Sequence, residues 1–380
     1  MTENSSLTEN DLVARAIEWL SNALPAAWSV RRSERAYGGG NLAEPETLGD
    51  SAIEIITGQS IGVTLVVEAQ RSFSPRDVER TFGPNLSRTL RTLTYSIPIL
   101  VVSEWLSPRT RELLEAQGIN YLDLTGNALV RLENPAVYVR SMGASRAPRA
   151  AARGQVRLRG PKAARIVRLL VDVRPPYGVR EIADASDVVV SWVSKLLDSL
   201  DREALIDRSG RGRVASVDLP RLLRRWTEAY DVFKTNQAAT FLAPRGAGQA
   251  LEGMKDVASR ERLAITGSFA AVRLAPVAAP ALLIAYTDDV GGVSRELGLL
   301  PADEGSNVML LRPYDSVVWD RNEFADGLRY VAPSQVAIDC LTGNGRMPAE
   351  GEALIEWMVA NESKWRLESL ASLSPSEETS

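Results

Sequence analysis

The stretch Val179–Val214, "VREIADASDVVVSWVSKLLDSLDREALIDRSGRGRV", decides how the rest of the chain is read. Its opening "VREIADASD" reads as a short helix, and "VVVSWVSKLLDSLDREA" as a longer one. In the longer helix Val189, Val193, Leu196, Leu197 and Leu200 fall at helical spacing and form an inward face. Ser191, Ser194, Lys195, Asp198 and Arg202 fall on the other face. "LIDRSGRGRVASV" then reads as two short strands around a Gly-Arg hairpin that carries Arg208, Arg211 and Arg213. Another helix, "PKAARIVRLLVDV", precedes the stretch and is cut from it by "RPPYG"; a capped helix, "DLPRLLRRWTEAYDVF", follows.

This order of three helices and a hairpin, over residues 159–233, resembles the winged helix-turn-helix domains of bacterial regulators. The resemblance implies double-stranded DNA as the partner. The third helix would enter the major groove, where short polar side chains such as Ser191, Ser194 and Lys195 reach base edges and phosphates. Arg208, Arg211 and Arg213 on a glycine-rich wing suit phosphate or minor-groove contact, and Arg180 joins them from the second helix. Trp192 either packs at the helix border or lies against the DNA backbone. A winged helix used only for protein contacts is the competing reading, kept open by Asp184, Asp187 and Asp198.

Charge distribution favours nucleic acid. The chain of 380 residues has a net charge of −4, yet Arg140–Tyr230 holds 19 Lys/Arg against 10 Asp/Glu. One basic segment inside an acidic chain is the electrostatic footprint of a nucleic-acid partner. There is no histidine, which removes Ser-His-Asp and Cys-His catalysis, HExxH zinc sites and classical zinc fingers. The single cysteine, Cys340, excludes an intrachain disulfide and an all-cysteine zinc site. A metal site would be built from carboxylates and would suit a hard cation such as magnesium. The absence of disulfides fits a cytoplasmic location; the N-terminus "MTENSSLTENDL" does not read as a secretory signal, and no apolar run is long enough for a membrane span.

Residues 1–143 read as an α/β domain. A helix runs through "NDLVARAIEWLSNAL" with Leu12, Ala16, Ile17 and Leu20 on one face. Strands are expected at "SAIEII", "VTLVVEA" and "SIPILVVSEW", helices at Ser74-Pro75 and Ser107-Pro108, and a strand pair in "GINYLDLTGNALVRLENPAVYVR". "LVVEAQRSFSPRD" resembles the metal-binding strand of PD-(D/E)XK nucleases, a restriction-endonuclease-like fold. Glu68 and Gln70 are two apart and share a strand face; Asp50 is the expected first carboxylate, with Glu54 as substitute. Gln70 stands where that family carries a lysine, so the positive charge that stabilises a developing hydroxide is missing. The expectation is a vestigial fold with no cofactor; the alternative is a magnesium-dependent nuclease targeted by its own winged helix.

Residues 144–158 are an Arg-rich linker by composition, 234–370 a second α/β domain, and 371–380 a disordered tail. "ITGSFAAVRLAPVAAPALLIAYTDD" resembles the opening of nucleotidyltransferase folds, with Gly267-Ser268 at the phosphate position. Its carboxylates, Asp288 and Asp289, are adjacent, so on a strand they would face opposite sides and could not share a metal; the fold reads as degenerate. With "YVAPSQVAIDCL", read as a helix carrying Val336, Ile338 and Leu341, the whole resembles the AbiEi-type regulators, the antitoxin halves of type IV toxin–antitoxin systems. That resemblance implies a transcriptional regulator that represses its own operon, with a nucleotidyltransferase-like toxin as a further partner; a homodimer is expected because one winged helix reads too few base pairs for specificity. One departure is plain: the better-known antitoxins carry the winged helix at the N-terminus, whereas here an extra α/β domain precedes it.

Overall fold

The computed structural model describes residues 7–33, 51–58, 60–82, 98–145, 148, 156–208 and 212–373. The chain is a mixed α/β protein that divides into two compact units. The first is Met1–Gln155 with Arg202–Ala204, and the second Val156–Asp201 with Leu205–Ser380. Among the described residues no helix is long and apolar enough to cross a membrane.

In the first unit, α1 (Glu9–Ala23) starts from a reciprocal cap. Thr8 Oγ1 accepts from the Asp11 amide, and the Asp11 carboxylate accepts from the Thr8 amide at 2.8 Å. The helix buries Leu12, Val13, Ala16 and Leu20, while Ile17, expected inward, is half-buried. Seven strands follow in chain order across one sheet: β1 (Trp28–Arg32), β2 (Ser51–Thr57), β3 (Ser60–Ala69), β4 (Ile99–Ser103), β5 (Asn120–Asp123), β6 (Ala128–Leu132) and β7 (Val137–Ser141). The first three pair antiparallel, β3–β4 and β4–β5 are parallel, and β5–β6–β7 return to antiparallel pairing. Parallel neighbours need crossovers. Helix α2 (Pro75–Phe82) lies between β3 and β4, and α3 (Pro108–Ala116) between β4 and β5. Ser74 and Ser107 cap these helices as their punctuation predicts, each hydroxyl accepting an amide three residues on. Period-2 alternation divides the core. Leu100 and Val102 pack with α1, whereas Val101 packs with Phe73, Val78 and Leu114 on the other face. The stretch from residue 118 to 140 holds three strands rather than a pair, because the turns at 124–127 and 133–136 reverse the chain twice.

The root of the linker is anchored on the first of these turns. Buried Asp123 accepts from the amides of Leu106, Thr125 and Asn127 and from the side chains of Thr125 and Asn127. Asn127 receives the Gly143 amide at 2.9 Å, and both Asn127 and the Trp105 indole donate to the Ala144 carbonyl. Gly143 must be glycine, since a Cβ there would stand 2.1 Å from the Thr125 carbonyl oxygen. Most of the arginine-rich stretch beyond it lies outside the described residues.

The second unit opens with α4 (Pro161–Asp172), α5 (Val179–Ser186) and α6 (Val190–Arg202), then a two-stranded hairpin of β8 (Ile206–Arg208) and β9 (Val214–Val217), and α7 (Leu219–Trp226). Tyr177 bridges to Val214 through two backbone hydrogen bonds, which ties the hairpin to the turn between α4 and α5. After a short helix α8 (Val232–Thr235) come β10 (Gln237–Leu242), α9 (Ala247–Ala258), β11 (Leu263–Thr266), α10 (Ser268–Ala271), β12 (Leu283–Thr287), α11 (Val290–Glu296), β13 (Leu300–Pro301), β14 (Val308–Arg312), β15 (Glu323–Ala325) and β16 (Leu328–Tyr330). These strands make a mixed sheet in the order β13-β10-β14-β12-β11-β16-β15. "SVVWDR" is a 3-10 turn at Ser316–Trp319, and α12 (Pro333–Leu341) and α13 (Met347–Ala360) pack together beyond it.

One continuous cluster of buried side chains runs from Leu158 to Met358, so the three-helix region and the C-terminal sheet share a core. The position expected to part them, 233/234, lies inside this unit. A buried polar chain reinforces the join. Fully buried Arg168 on α4 donates to Asp172 at 3.1 Å, to Gln335 at 2.7 Å and to the carbonyls of Val317 and Asp320. Burial pushes the Asp172 carboxyl up, but Arg321 and Arg168 outweigh it and hold the group below its ordinary value. Gln335 in turn donates to Asp339 at 2.8 Å.

Candidate nucleic-acid interface

The local turn between α5 and α6 sets what α6 presents. Asp187 adopts the left-handed conformation (φ 52°) at the end of α5, and the Val188 amide reaches back to the Ala183 carbonyl at 3.1 Å. A C-terminal lock of this kind folds the following apolar residue onto the helix it has just left. Val188 is accordingly buried, and α6 begins at Val190, two residues later than the sequence pattern suggests. Val189 is therefore 63% exposed, which corrects its assignment to the inward face. Val193, Leu196, Leu197 and Leu200 do face inward and are fully buried. Each is worth roughly 1.5–3 kcal/mol of burial, as an upper estimate.

On the outer side, Ser191 and Lys195 are exposed and Ser194 is half-buried. Trp192 is half-buried and packs on the core from the helix border. Arg180 on α5 is exposed; among the described residues neither Arg180 nor Lys195 makes an ion pair. The hairpin arginines differ. Arg208 binds the Asp198 carboxylate of α6 and donates to the Gly212 carbonyl, so it braces hairpin against helix. Arg213 holds Glu181 of α5 through two hydrogen bonds, at 2.9 and 3.2 Å. Arg211 lies outside the described residues.

In the first unit, Glu68 and Gln70 meet at the end of β3, where Gln70 Nε2 donates to Glu68 Oε1 at 2.7 Å. Asp50 lies outside the described residues. Glu54 does not stand in for it: the register sets Glu54 opposite Thr64, four residues and so about 13 Å of strand from Glu68. Glu54 is buried and held by Arg31 and Ser33, each at 2.9 Å. The Glu68 carboxylate and the Gln70 side-chain carbonyl are the oxygen ligands this strand end offers a cation.

In the C-terminal region the Ser268 hydroxyl donates to Glu350 of α13 at 2.5 Å, with both side chains buried. Asp288 and Asp289 follow the last residue of β12. Asp289 caps α11 by accepting from the Gly292 amide, while Asp288 is exposed and 4.0 Å from Arg262.

One buried carboxyl with a raised pKa escapes a reading by motif. Asp339, fully buried, accepts from Thr266 Oγ1 at 2.6 Å, Tyr230 at 2.7 Å, Gln335 at 2.8 Å and Tyr286 at 3.0 Å. Burial raises its carboxyl to about 6, against the pull of those four donors. Both tyrosine hydroxyls are pushed well up, first by burial and then by the Asp339 charge. Its signal in the sequence is an acid set inside the apolar run "QVAIDCL", on a helix buried along most of its length.

No family model, curated protein or solved structure matches the chain.

Proposed function

We propose that the chain is a sequence-specific, double-stranded-DNA-binding transcriptional regulator. The outward side of α6 carries this reading. It exposes Ser191 and Lys195 over a back face that is wholly buried, and Arg180 on α5 is exposed with no ion pair among the described residues. Helices α4–α6 with the β8–β9 hairpin resemble a winged helix-turn-helix, in which α6 would lie in the major groove. Ser191, Ser194 and Lys195 would then meet base edges and phosphates, with Trp192 fixing the helix border. Arg180, Arg208, Arg211 and Arg213 would clamp phosphates. The ion pairs of Arg208 and Arg213 are no obstacle, since pairs at a surface are worth only about 0–1 kcal/mol and a phosphate can replace the carboxylate. The linker arginines would add salt-dependent, sequence-independent affinity.

The regulator would act as a cytoplasmic homodimer on a two-fold operator, because one such module reads few base pairs. The resemblance to AbiEi-type regulators supports repression of its own operon, with antitoxin activity toward a nucleotidyltransferase-like partner as a second role. Glu350 on the Ser268 hydroxyl and Asp289 spent on a helix cap favour a binding surface over nucleotidyl transfer in the C-terminal region. The test is a mobility shift on the protein's own upstream DNA. A shift that survives Glu68→Ala and is lost with Lys195→Ala plus Arg211→Ala supports the reading; unchanged affinity and salt slope in that double variant overturn it.

A second reading, a magnesium nuclease, is favoured by the order α1–β1–β2–β3–α2–β4, which resembles the PD-(D/E)XK core with Glu68 at the expected strand end. Glu68 and Asp50 would hold the ion, which supplies Lewis acidity and an activated water. Gln70 can orient a water but brings no charge, and its amide already occupies one Glu68 oxygen. Cutting of DNA with magnesium or manganese that Glu68→Ala abolishes without loss of binding would end the regulator-only reading.

A further inference from the structure

The leading tip of α6 carries two side chains that folding does not call for. After Val188 turns inward (5% exposed), Val189 and Val190 emerge 63% and 45% exposed. The Val189 carbonyl accepts from the amides of Trp192 and Val193, so Val189 occupies the N-cap position and Val190 the first helical one. Valine is among the poorest N-cap residues; Ser, Thr, Asn or Asp there would hydrogen-bond a free amide and stabilise the helix. The chain uses such residues at other helix starts, Thr8, Ser107 and Asp218 among them. Other starts, such as those at Gly160, Ala332 and Arg346, have no side-chain cap either, but here the chain presents branched methyl groups to the outside. A local rule broken without a gain in packing marks a position held for function.

The surroundings say what kind of surface the methyls meet. Ser191 is exposed next to them, Lys195 stands little more than one turn along, and Arg180 on the preceding helix has no ion pair among the described residues. Two valines set between the exposed Asp187 and Ser191, with Lys195 further along the helix, are too small an apolar patch for a stable protein interface, which needs roughly 800 Å² per partner. They match the major groove of DNA, a polar and anionic surface whose prominent apolar feature is the C5-methyl of thymine. Their χ1 stiffness suits the task, because little rotamer freedom remains to be lost on contact.

We propose that Val189 and Val190 read pyrimidine C5-methyl groups, so that the bound sequence carries thymines under the tip of α6. The inference rests on the DNA-binding reading of that helix and adds to it the base chemistry that is recognised. Ser191, Ser194 and Lys195 supply polar contacts; the two valines supply discrimination for the methyl.

The experiment uses the full-length chain. Duplexes are selected from a randomised pool, and each thymine of the enriched sequence is replaced in turn by deoxyuridine, which removes the methyl and keeps every hydrogen bond. Loss of a contacted methyl weakens binding about fourfold. Val189→Ala and Val190→Ala, both at exposed positions, bring the thymine-to-uracil ratio close to one while keeping affinity for the uracil duplex. A parallel pool with methylated cytosines identifies the source of the methyl; dependence confined to that pool supports methyl reading and assigns it to 5-methylcytosine. Equal binding of thymine and uracil duplexes at every position, with methylated cytosine also without effect, overturns the inference and leaves DNA binding standing. Failure to enrich any duplex removes the DNA-binding reading itself.

Discussion

Replacing Asp339 by asparagine tests how the second unit holds a buried charge. The wild-type carboxyl is fully buried, accepts from four side chains and titrates near 6 instead of the ordinary 3.8. A raised carboxyl binds its proton more tightly in the folded than in the unfolded chain. The stability this contributes is fully present below about 3.8, is lost as the pH rises to about 6, and changes no further above that. A displacement from 3.8 to about 6 corresponds to about 3 kcal/mol. The amide of the Asp339→Asn variant has no such titration. At pH 7 the substitution removes the buried charge but turns an amide toward the donors Thr266 and Tyr286, a loss of about 1–3 kcal/mol that offsets the gain. The two proteins should therefore be close in stability at pH 7, with Asp339→Asn less stable by about 2 kcal/mol near pH 4. Urea unfolding of both chains across that range gives the difference directly, and titration of other carboxylates cancels in it. A difference that stays flat, or that moves toward the wild type as the pH rises, refutes the argument.

Arg168→Met should destabilise the second unit by about 3–5 kcal/mol, because Gln335 and two carbonyls lose their donor and Asp172 one of its two arginines; thermal melting measures it. Gly143→Ala forces the linker root off the Thr125 carbonyl, with an expected loss of about 2–4 kcal/mol in the first unit. The Trp105 emission should change with it, as the indole donates to Ala144. Lys195→Ala should weaken DNA binding evenly across sequences and lower the salt slope by about one, read from affinities at a series of salt concentrations.

Much of the local architecture was legible in the chain. Helical spacing in "VSWVSKLLDSL" marked the buried face of α6, because amphipathic period depends only on neighbours three and four residues away. The caps at Ser74, Ser107 and Asp218 were equally plain, since each cap is closed by an amide three residues on. Val189 was misplaced because periodicity cannot see the turn before the helix: the left-handed Asp187 decides which valine folds inward. For the candidate DNA-reading residues, the sequence supplied the face but not the ionic state. Arg208 and Arg213 hold Asp198 and Glu181, while Lys195 and Arg180 hold no carboxylate among the described residues. That difference follows from the packing of hairpin against helices.

By itself, then, the sequence determined where the chain turns helical, where strands alternate, and that a basic segment sits inside an acidic chain. Tertiary structure decided the rest. Arg168 and Asp172, four apart on a helix, look locally like a solvent-facing ion pair, yet Gln335 and Arg321, about 150 residues further on, draw them into the core. Asp339 likewise gains its shifted carboxyl only when Tyr230, Thr266 and Tyr286 converge on it from separate elements. The reason is physical: burial and the pairing of charges depend on which distant elements meet, and local spacing carries no record of that.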